Sequence, residues 1–213
     1  MRVLLLCPYP KLIEAPILGG DDLVASMVPP SEVDFSADFI VSFGYRHILK
    51  EPILRSVARP IINIHIGYLP WNRGADPNFW SWFEDTPKGV SIHHIDVGID
   101  TGPLLAQAEL AFPEPKKETL ATTYEKLQMR AVTLFAETWP LIRTNRIVPE
   151  PQRGVGSFHR LKDKEPWWSL LPKGYDTPIE IIQEMGAEQA ASNAFWDKYD
   201  EEIAAMKPPS QSK

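Results

Sequence analysis

The chain has 213 residues, 44% of them hydrophobic, and carries a formal net charge of −6 from 22 basic and 28 acidic side chains. That length and apolar content support one main domain with an appendage. The acidic balance argues against broad nucleic-acid binding, which normally leaves a basic patch or stripe.

The single cysteine, Cys7, cannot form an intrachain disulfide, and no Cys/His spacing resembles a structural zinc site. The apolar run at residues 3–7 is too short for a secretory core or a membrane span. The expected compartment is the cytoplasm, with neither membrane nor nucleic acid as a partner.

Residues 2–7 read as a buried strand halted by Pro8 and Pro10. Gly19-Gly20-Asp21-Asp22 then reads as a turn and helix start, with Asp22 or Asp21 as N-cap and Leu23, Val24 and Met27 on the apolar side, closed by Pro29-Pro30. Residues 39–43 form the next strand. Gly44-Tyr45-Arg46-His47 follow its C-terminal end, where open α/β sheets bind ligands.

Residues 61–67, Ile-Ile-Asn-Ile-His-Ile-Gly, read as a strand whose period of two sends Asn63 and His65 to one face and Ile62, Ile64 and Ile66 to the other. A buried amide and imidazole left unpaired each cost roughly 1–3 kcal/mol, so that face needs polar partners or a cavity. The next loop holds Trp71, Asn72, Arg73 and Gly74, and residues 77–83 read as a short helix with Phe79, Trp80, Trp82 and Phe83 as core. A ring as large as Trp71 must pack or stack there. The planar fork of Arg73 suits diphosphate oxygens or a structural ion pair.

Residues 89–95 read as another strand, on which His93 and His94 face opposite ways, and no metal pair is indicated. The loop 96–103 is dense in turn formers, with Gly98 and Gly102 available for positive φ, and a strand resumes at 104–107. From Glu118 to Ile142, apolar residues recur at helical spacing, as in Leu120, Tyr124, Leu127, Ala131, Leu134, Phe135 and Trp139. This helix is expected to cover the sheet without chemistry of its own.

After Pro149 the composition shifts to Gly, Pro and charge. Residues 152–177 look like an appended hairpin or extended arm that covers the core or a partner subunit. Its Trp167-Trp168 pair suggests a homodimer surface. A last helix spans about 178–206, and 208–213 is a frayed tail. The expected division is a catalytic domain at 1–149, an arm and helical extension at 150–207, and the tail.

Asn63, His65 and the downstream carboxylate Asp100 suit acyl transfer to an amine. His65 would take a proton from the nucleophile, which requires the neutral imidazole. Asn63 would donate to the oxygen that gains charge in a tetrahedral intermediate, a contribution of ~2.7–4 kcal/mol per donor. Asp100 would orient the imidazole, stabilise its charged form, or hold a relay water.

Asn63-Ile-His65, Leu69-Pro70, Arg73-Gly74-Ala75 and Asp96-x-Gly98-Ile-Asp100-Thr-Gly102 together resemble the hallmark of the formyltransferases that use N10-formyltetrahydrofolate. The resemblance implies Asn63, His65 and Asp100 as the catalytic trio. It also implies a Rossmann-like, mostly parallel sheet with helices on both faces. The implied folate pocket is formed by backbone around Phe43, Gly44, Tyr45 and Arg46 and by the loop from Ile95 and Asp96 to Val97 and Gly98, wrapped near the pterin.

The fuller string from Tyr68 to Trp80, with Gly156-Ser-Phe-His159-Arg160-x-Lys162-Asp163 and Gly174-Tyr-Asp-Thr177, is similar to the branch that formylates nucleotide-linked amino sugars. That branch makes Trp71, Asn72, Arg73, Gly74 and Asn78 candidate substrate contacts. Its product would serve cell-surface polysaccharide or O-antigen synthesis. Familiar members place a longer segment before the Asn-x-His strand; here 62 residues precede Asn63, so the fold is expected to be abbreviated at its N-terminus. The rival readings are glycinamide ribonucleotide formylation, formyltetrahydrofolate hydrolysis, and a non-catalytic folate or sugar-nucleotide binding protein.

Overall fold

The computed structural model describes residues 1–17 and 21–206. The first strand, β1 (Arg2–Leu6), runs into helix α1 (Pro10–Ile17), and β2 (Asp22–Ser26) returns parallel to β1 with Val24 beside Leu4. The helix expected to start at Asp21 or Asp22 is therefore a strand, and the helix lies upstream. Pro10, read as a stop, opens that helix at its first position, where a missing N–H costs nothing. Asp21 does not cap; its carboxylate meets the terminal ammonium of Met1 and the Arg143 guanidinium, each at 3.1 Å. The proposed turn residues Gly19 and Gly20 lie outside the described residues.

Next come β3 (Phe39–Phe43), α2 (Glu51–Ser56), β4 (Ile62–His65), the short β5 (Arg73–Gly74), α3 (Pro77–Phe83), β6 (Gly89–His94) and β7 (Leu104–Glu109). The long α4 (Leu120–Arg143) follows, capped by Thr119, whose side chain and that of Thr122 each accept the other's backbone N–H. The main sheet has the order β2-β1-β3-β4-β6-β7. Pairings are parallel from β2 through β4 and antiparallel at β4/β6 and β6/β7.

Alternation along the strands fills two cores. Val3, Leu5, Val41, Phe43, Ile62 and Ile64 pack with Ile13 of α1 and Leu127, Ala131 and Phe135 of α4. Leu4, Leu6, Ile40 and Ile61 face the other way, onto Ile53 and Leu54 of α2. Burial of each such side chain contributes about 1.5–3 kcal/mol, so helices cover both faces as the patterning expects. With Ile62 and Ile64 committed to the α4 side, Asn63 and His65 project from the opposite face.

Sheet order reverses between β1 and β3, and such a switch point opens a crevice at the C-terminal strand ends. There Gly44, at φ +68, turns the chain away beyond Phe43, the last β3 residue paired with β4.

The arm is not a hairpin. Its β8 (Phe158–His159) pairs in parallel with β5, so residues after Pro149 return to the loop that follows the Asn63/His65 strand. A short α5 (Glu165–Trp168) leads to α6 (Ile179–Met206), which presses on α3 so closely that a Cβ at Gly186 would lie 1.8 Å from the Phe83 carbonyl oxygen. Trp167 packs on Phe83 and Trp168 on Tyr175, with ring centroids 4.6 and 4.7 Å apart. Both tryptophans are thus half-buried within their own chain and are not the exposed pair on which the dimer expectation rested. Residues 208–213, expected as a frayed tail, lie outside the described residues. Among the described residues no helix is long and apolar enough to cross a membrane.

Candidate active site

Asn63 and His65 leave β4 together and meet Asp100 from the β6–β7 loop. The Asn63 amide Nδ2 lies 3.3 Å from Asp100 Oδ1, and His65 Nδ1 lies 3.6 Å from Oδ2. The backbone N–H of Gly74 also donates to Oδ2, at 2.8 Å. Two of the three side chains that sequence spacing singled out, Asn63 and His65, therefore converge on the carboxylate of the third, Asp100, 37 residues on from Asn63.

The tautomer of His65 follows from its other nitrogen. Nε2 lies 2.9 Å from the Asn72 carbonyl oxygen, which only accepts, so Nε2 carries the hydrogen. In the neutral ring the lone pair then sits on Nδ1, on the Asp100 side, where a proton delivered by a substrate is stabilised at once by the carboxylate. Gly67 gives this ring its room, because a Cβ there would lie 2.6 Å from Nε2.

A fourth group that sequence reasoning passed over completes the cluster. His93 Nδ1 donates to the His94 carbonyl at 2.8 Å, which leaves Nε2 as acceptor for Asn63 Nδ2 at 3.2 Å. The same Nε2 lies 3.4 Å from Asp100 Oδ1. Register could have found it, since His93 is paired with Asn63 across the antiparallel β4/β6 ladder.

Burial alone pushes the Asp100 carboxyl up. In the protonated forms of the two imidazoles, the charge on His65 and the hydrogen bond and charge from His93, together with the Gly74 amide, overcome that and hold it well below the usual carboxylate range. A depressed folded-state value means that the stability Asp100 contributes is present above its unfolded value of about 3.9 and is lost as pH falls through the folded one. Urea denaturation of the wild type and Asp100→Asn should therefore give a stability difference that shrinks as pH falls below about pH 4. A gap that persisted undiminished to about pH 2 would contradict this.

Asp100 itself takes φ +53, whereas neither Gly98 nor Gly102 has a positive φ. The expectation that those glycines supply left-handed backbone is corrected. They are needed for space: a Cβ at Gly102 would lie 1.9 Å from the His94 carbonyl oxygen, and one at Gly98 would lie 2.1 Å from Thr101 Oγ1.

The loop after β4 is held from the arm. Gln152 Nε2 donates to the carbonyls of Asp100 and Gly102, each at 2.8 Å, while its Oε1 accepts from Arg73 Nε at 3.1 Å and Nη2 at 2.9 Å. One amide thus ties the Arg73 and Asp100 loops together. Gln152→Ala should lower kcat by about 10- to 100-fold through misplacement of Asp100, with a smaller change in KM. An unchanged kcat would show that the loops hold their positions unaided.

The remaining candidates fall into two groups. Asn72 is 1% exposed, its Nδ2 donating to Thr86 Oγ1 at 2.7 Å, and Arg73 is engaged by Gln152, so neither side chain is free. Gly74 contributes its N–H to Asp100, Trp71 is 37% exposed, and Asn78 is buried with Nδ2 donating to the Leu120 carbonyl at 3.0 Å. At the β3 end, Phe43 is core, Gly44 and Arg46 are exposed, and the Tyr45 hydroxyl donates to the Val28 carbonyl at 2.6 Å. On the far side, Ile95 is paired to the Ile61 carbonyl, Asp96 Oδ1 accepts from the Gly98 N–H and the Thr101 hydroxyl, and Val97 is exposed. Among the described residues no group of three or more His, Cys, Asp or Glu is arranged to hold a metal ion.

The chain is similar to several known proteins. The solved formyltransferase PseJ from Anoxybacillus kamchatkensis, in complex with UDP-4,6-dideoxy-4-formamido-L-AltNAc and tetrahydrofolate, is 41% identical, with a TM-score of 0.77 over 87% of this chain and 100% of that one. A 4-N formyltransferase from Francisella tularensis shares the fold at 19% identity, with a TM-score of 0.68 over 78% of this chain and 79% of that one. A Methionyl-tRNA formyltransferase from Nitrosomonas europaea is 31% identical over 150 residues, 70% of this chain and 46% of that protein. The chain spans about half the length, or less, of the curated relatives it matches. The profile of the Formyl transferase family matches residues 30–138, about half of the chain, and with these likenesses it establishes that the chain belongs to the formyl transferase family.

Proposed function

We propose that this protein transfers a formyl group from N10-formyltetrahydrofolate to the amine of a nucleotide-linked amino-deoxy sugar. The observation that carries the reading is the convergence of Asn63, His65 and Asp100 around one point, in a chain alike over its length to a formyltransferase whose complex holds tetrahydrofolate and a formamido sugar nucleotide. The net charge of −6 supports a small acceptor over a transfer RNA.

The formyl donor is a co-substrate, and the C-terminal strand ends at the sheet's switch point are assigned to it by the general rule for open α/β sheets. Main chain at Gly44–Arg46, just beyond the last pair of the β3–β4 ladder, and the loop at residues 95–98 are the segments assigned to hold its flat ring. Bound there, the donor supplies an activated formyl carbon.

The residues then divide the work. As the sugar amine attacks, its nitrogen forms the new C–N bond and its proton passes to His65 Nδ1. Asp100, ionised at every working pH, balances the charge that the ring acquires. The contacts of Asn63 Nδ2 at 3.2 and 3.3 Å are long, so an oxyanion on the former carbonyl oxygen outcompetes a neutral partner for one of its hydrogens. The proton on His65 is returned to the departing nitrogen as the tetrahedral centre collapses.

Asn63→Ala should lower kcat by about 10²–10³ with the fold retained, as loss of one oxyanion donor does elsewhere. A turnover number within threefold of wild type would remove Asn63 from that role. The activity itself is tested with N10-formyltetrahydrofolate and a panel of amino-sugar nucleotides, read by mass. Gain of one formyl group on an acceptor is the expected result. Release of formate with no acceptor modified would make the protein a hydrolase.

A further inference from the structure

Behind Asn63 stands an imidazole with no part in the proton transfer. His93 is 1% exposed, lies opposite Asn63 in the β4/β6 ladder, and brings Nε2 to 3.2 Å from the amide nitrogen. Its ring centroid is 6.4 Å from that of His65, and its burial keeps it from touching a substrate itself. The His94 carbonyl, 2.8 Å from Nδ1, only accepts, so Nδ1 keeps a hydrogen. A second hydrogen, on Nε2, would confront those of the Asn63 amide, so the approach at 3.2 Å fits the neutral ring with a bare Nε2.

Both hydrogens of the Asn63 amide are therefore held, one by the Asp100 carboxylate at 3.3 Å and one by the His93 ring. Two acceptors also decide which end of the amide lies there, since the reverse flip would set its oxygen against a carboxylate oxygen and a ring lone pair. The two partners differ in grip, because a charged acceptor binds a hydrogen roughly twice as strongly as a neutral one. Rotation of an amide about its last bond is broad, with no sharp staggered well to arrest it. With Asp100 as the sole acceptor, the amide would swing about that one contact. His93 cannot swing with it, being tied to main chain through Nδ1.

We infer that His93 is a positioning residue for formyl transfer: it holds the Asn63 amide in one orientation before reaction and yields its hydrogen to the oxyanion as charge develops. A charged acceptor in its place would compete with the oxyanion, and an apolar side chain would leave the hydrogen unaligned. A neutral ring nitrogen avoids both. The inference rests on the reading of Asn63 as the oxyanion donor and deepens it.

The test is a double-mutant cycle with rescue, run on the full chain with the formyl donor and an amino-sugar nucleotide that the wild type formylates. His93→Leu should lower kcat by about 10- to 100-fold while KM for either substrate stays within about threefold, as misalignment of a reacting group does. His93→Gln, whose side-chain oxygen can accept from Asn63, should recover most of that loss. In an Asn63→Ala background, His93→Leu should change kcat by less than about threefold, because the group it aligns is already gone. Additive losses in the cycle, or an unaltered kcat in a folded His93→Leu variant, would overturn the inference. Nitrogen-15 NMR of the wild-type imidazoles needs no variant to fold: throughout the pH range of activity, His93 should carry its hydrogen on Nδ1 and accept at Nε2. A hydrogen found on Nε2 in that range would overturn the inference too. These outcomes leave the role of Asn63 intact, whereas wild-type turnover in Asn63→Ala alone would remove that role and the inference with it.

Discussion

Asp100→Asn should lower kcat by about 10²–10⁴, the range that general acid–base assistance usually supplies, although the side chain changes by a single atom. The Gly74 N–H fixes which way the new amide lies, because it needs an acceptor at 2.8 Å and so selects the amide oxygen for that side. The new NH2 group then faces Asn63 Nδ2 and His93 Nε2. In the alternative flip it faces His65 Nδ1 and occupies the lone pair that has to take the substrate proton. Either way the charge that stabilises a protonated His65 is gone. Steady-state kinetics with the formyl donor and an amino-sugar nucleotide that the wild type formylates would check this, with circular dichroism to confirm the fold. A variant keeping a tenth of wild-type turnover would show that the carboxylate is only structural.

Gly74→Ala is expected to be the most damaging loop substitution. Gly74 has φ +88, and an alanine held there costs roughly 1–3 kcal/mol of backbone strain. Its Cβ would also lie 2.2 Å from the His159 carbonyl oxygen, so β8 has to move. His159 cannot shift freely, since its imidazole stacks on Trp80 with centroids 3.8 Å apart. The strain therefore reaches the Gly74 N–H and through it Asp100, and kcat should fall about 100-fold together with the melting temperature. Gly154→Ala is the matched control. Its φ is +89, but the nearest atom to a Cβ is 4.0 Å away, so it should lose stability and keep its turnover. Equal loss of activity in the two variants would rule out the clash as the cause.

The legible parts of this chain were those governed by local period. Strand alternation put Asn63 and His65 on one face, and the three-and-four rhythm gave α4 its buried side, from Leu120 through Trp139 to Ile142. Proline was read only in part: β1 does stop at Leu6 ahead of Pro8 and Pro10, but Pro10 also opens α1, because the same residue that blocks a strand can start a helix. Edge strand β2 was misread because Leu23, Val24 and Met27 fit a helical face as readily as a short strand whose burial alternates weakly.

The missing site residues were distant in a different sense. Gln152 reaches Asp100 across 52 residues and Arg73 across 79, and nothing local in a Gly- and Pro-rich segment marks one glutamine as a tie between loops. His93 was visible only through the register of β6 on β4. Arg73, attractive as a free cation in the sequence, is engaged by Gln152, an uncharged partner that no search for ion pairs would propose.

Gln152 grips the Asp100 loop only through two main-chain oxygens, those of Asp100 and Gly102. A clasp of that kind is blind to side-chain identity. Ile99, exposed and next to the gripped carbonyls, can be exchanged for other residues without unfastening it. Divergence there can retune what the loop touches while the carboxylate it carries stays where proton transfer requires it.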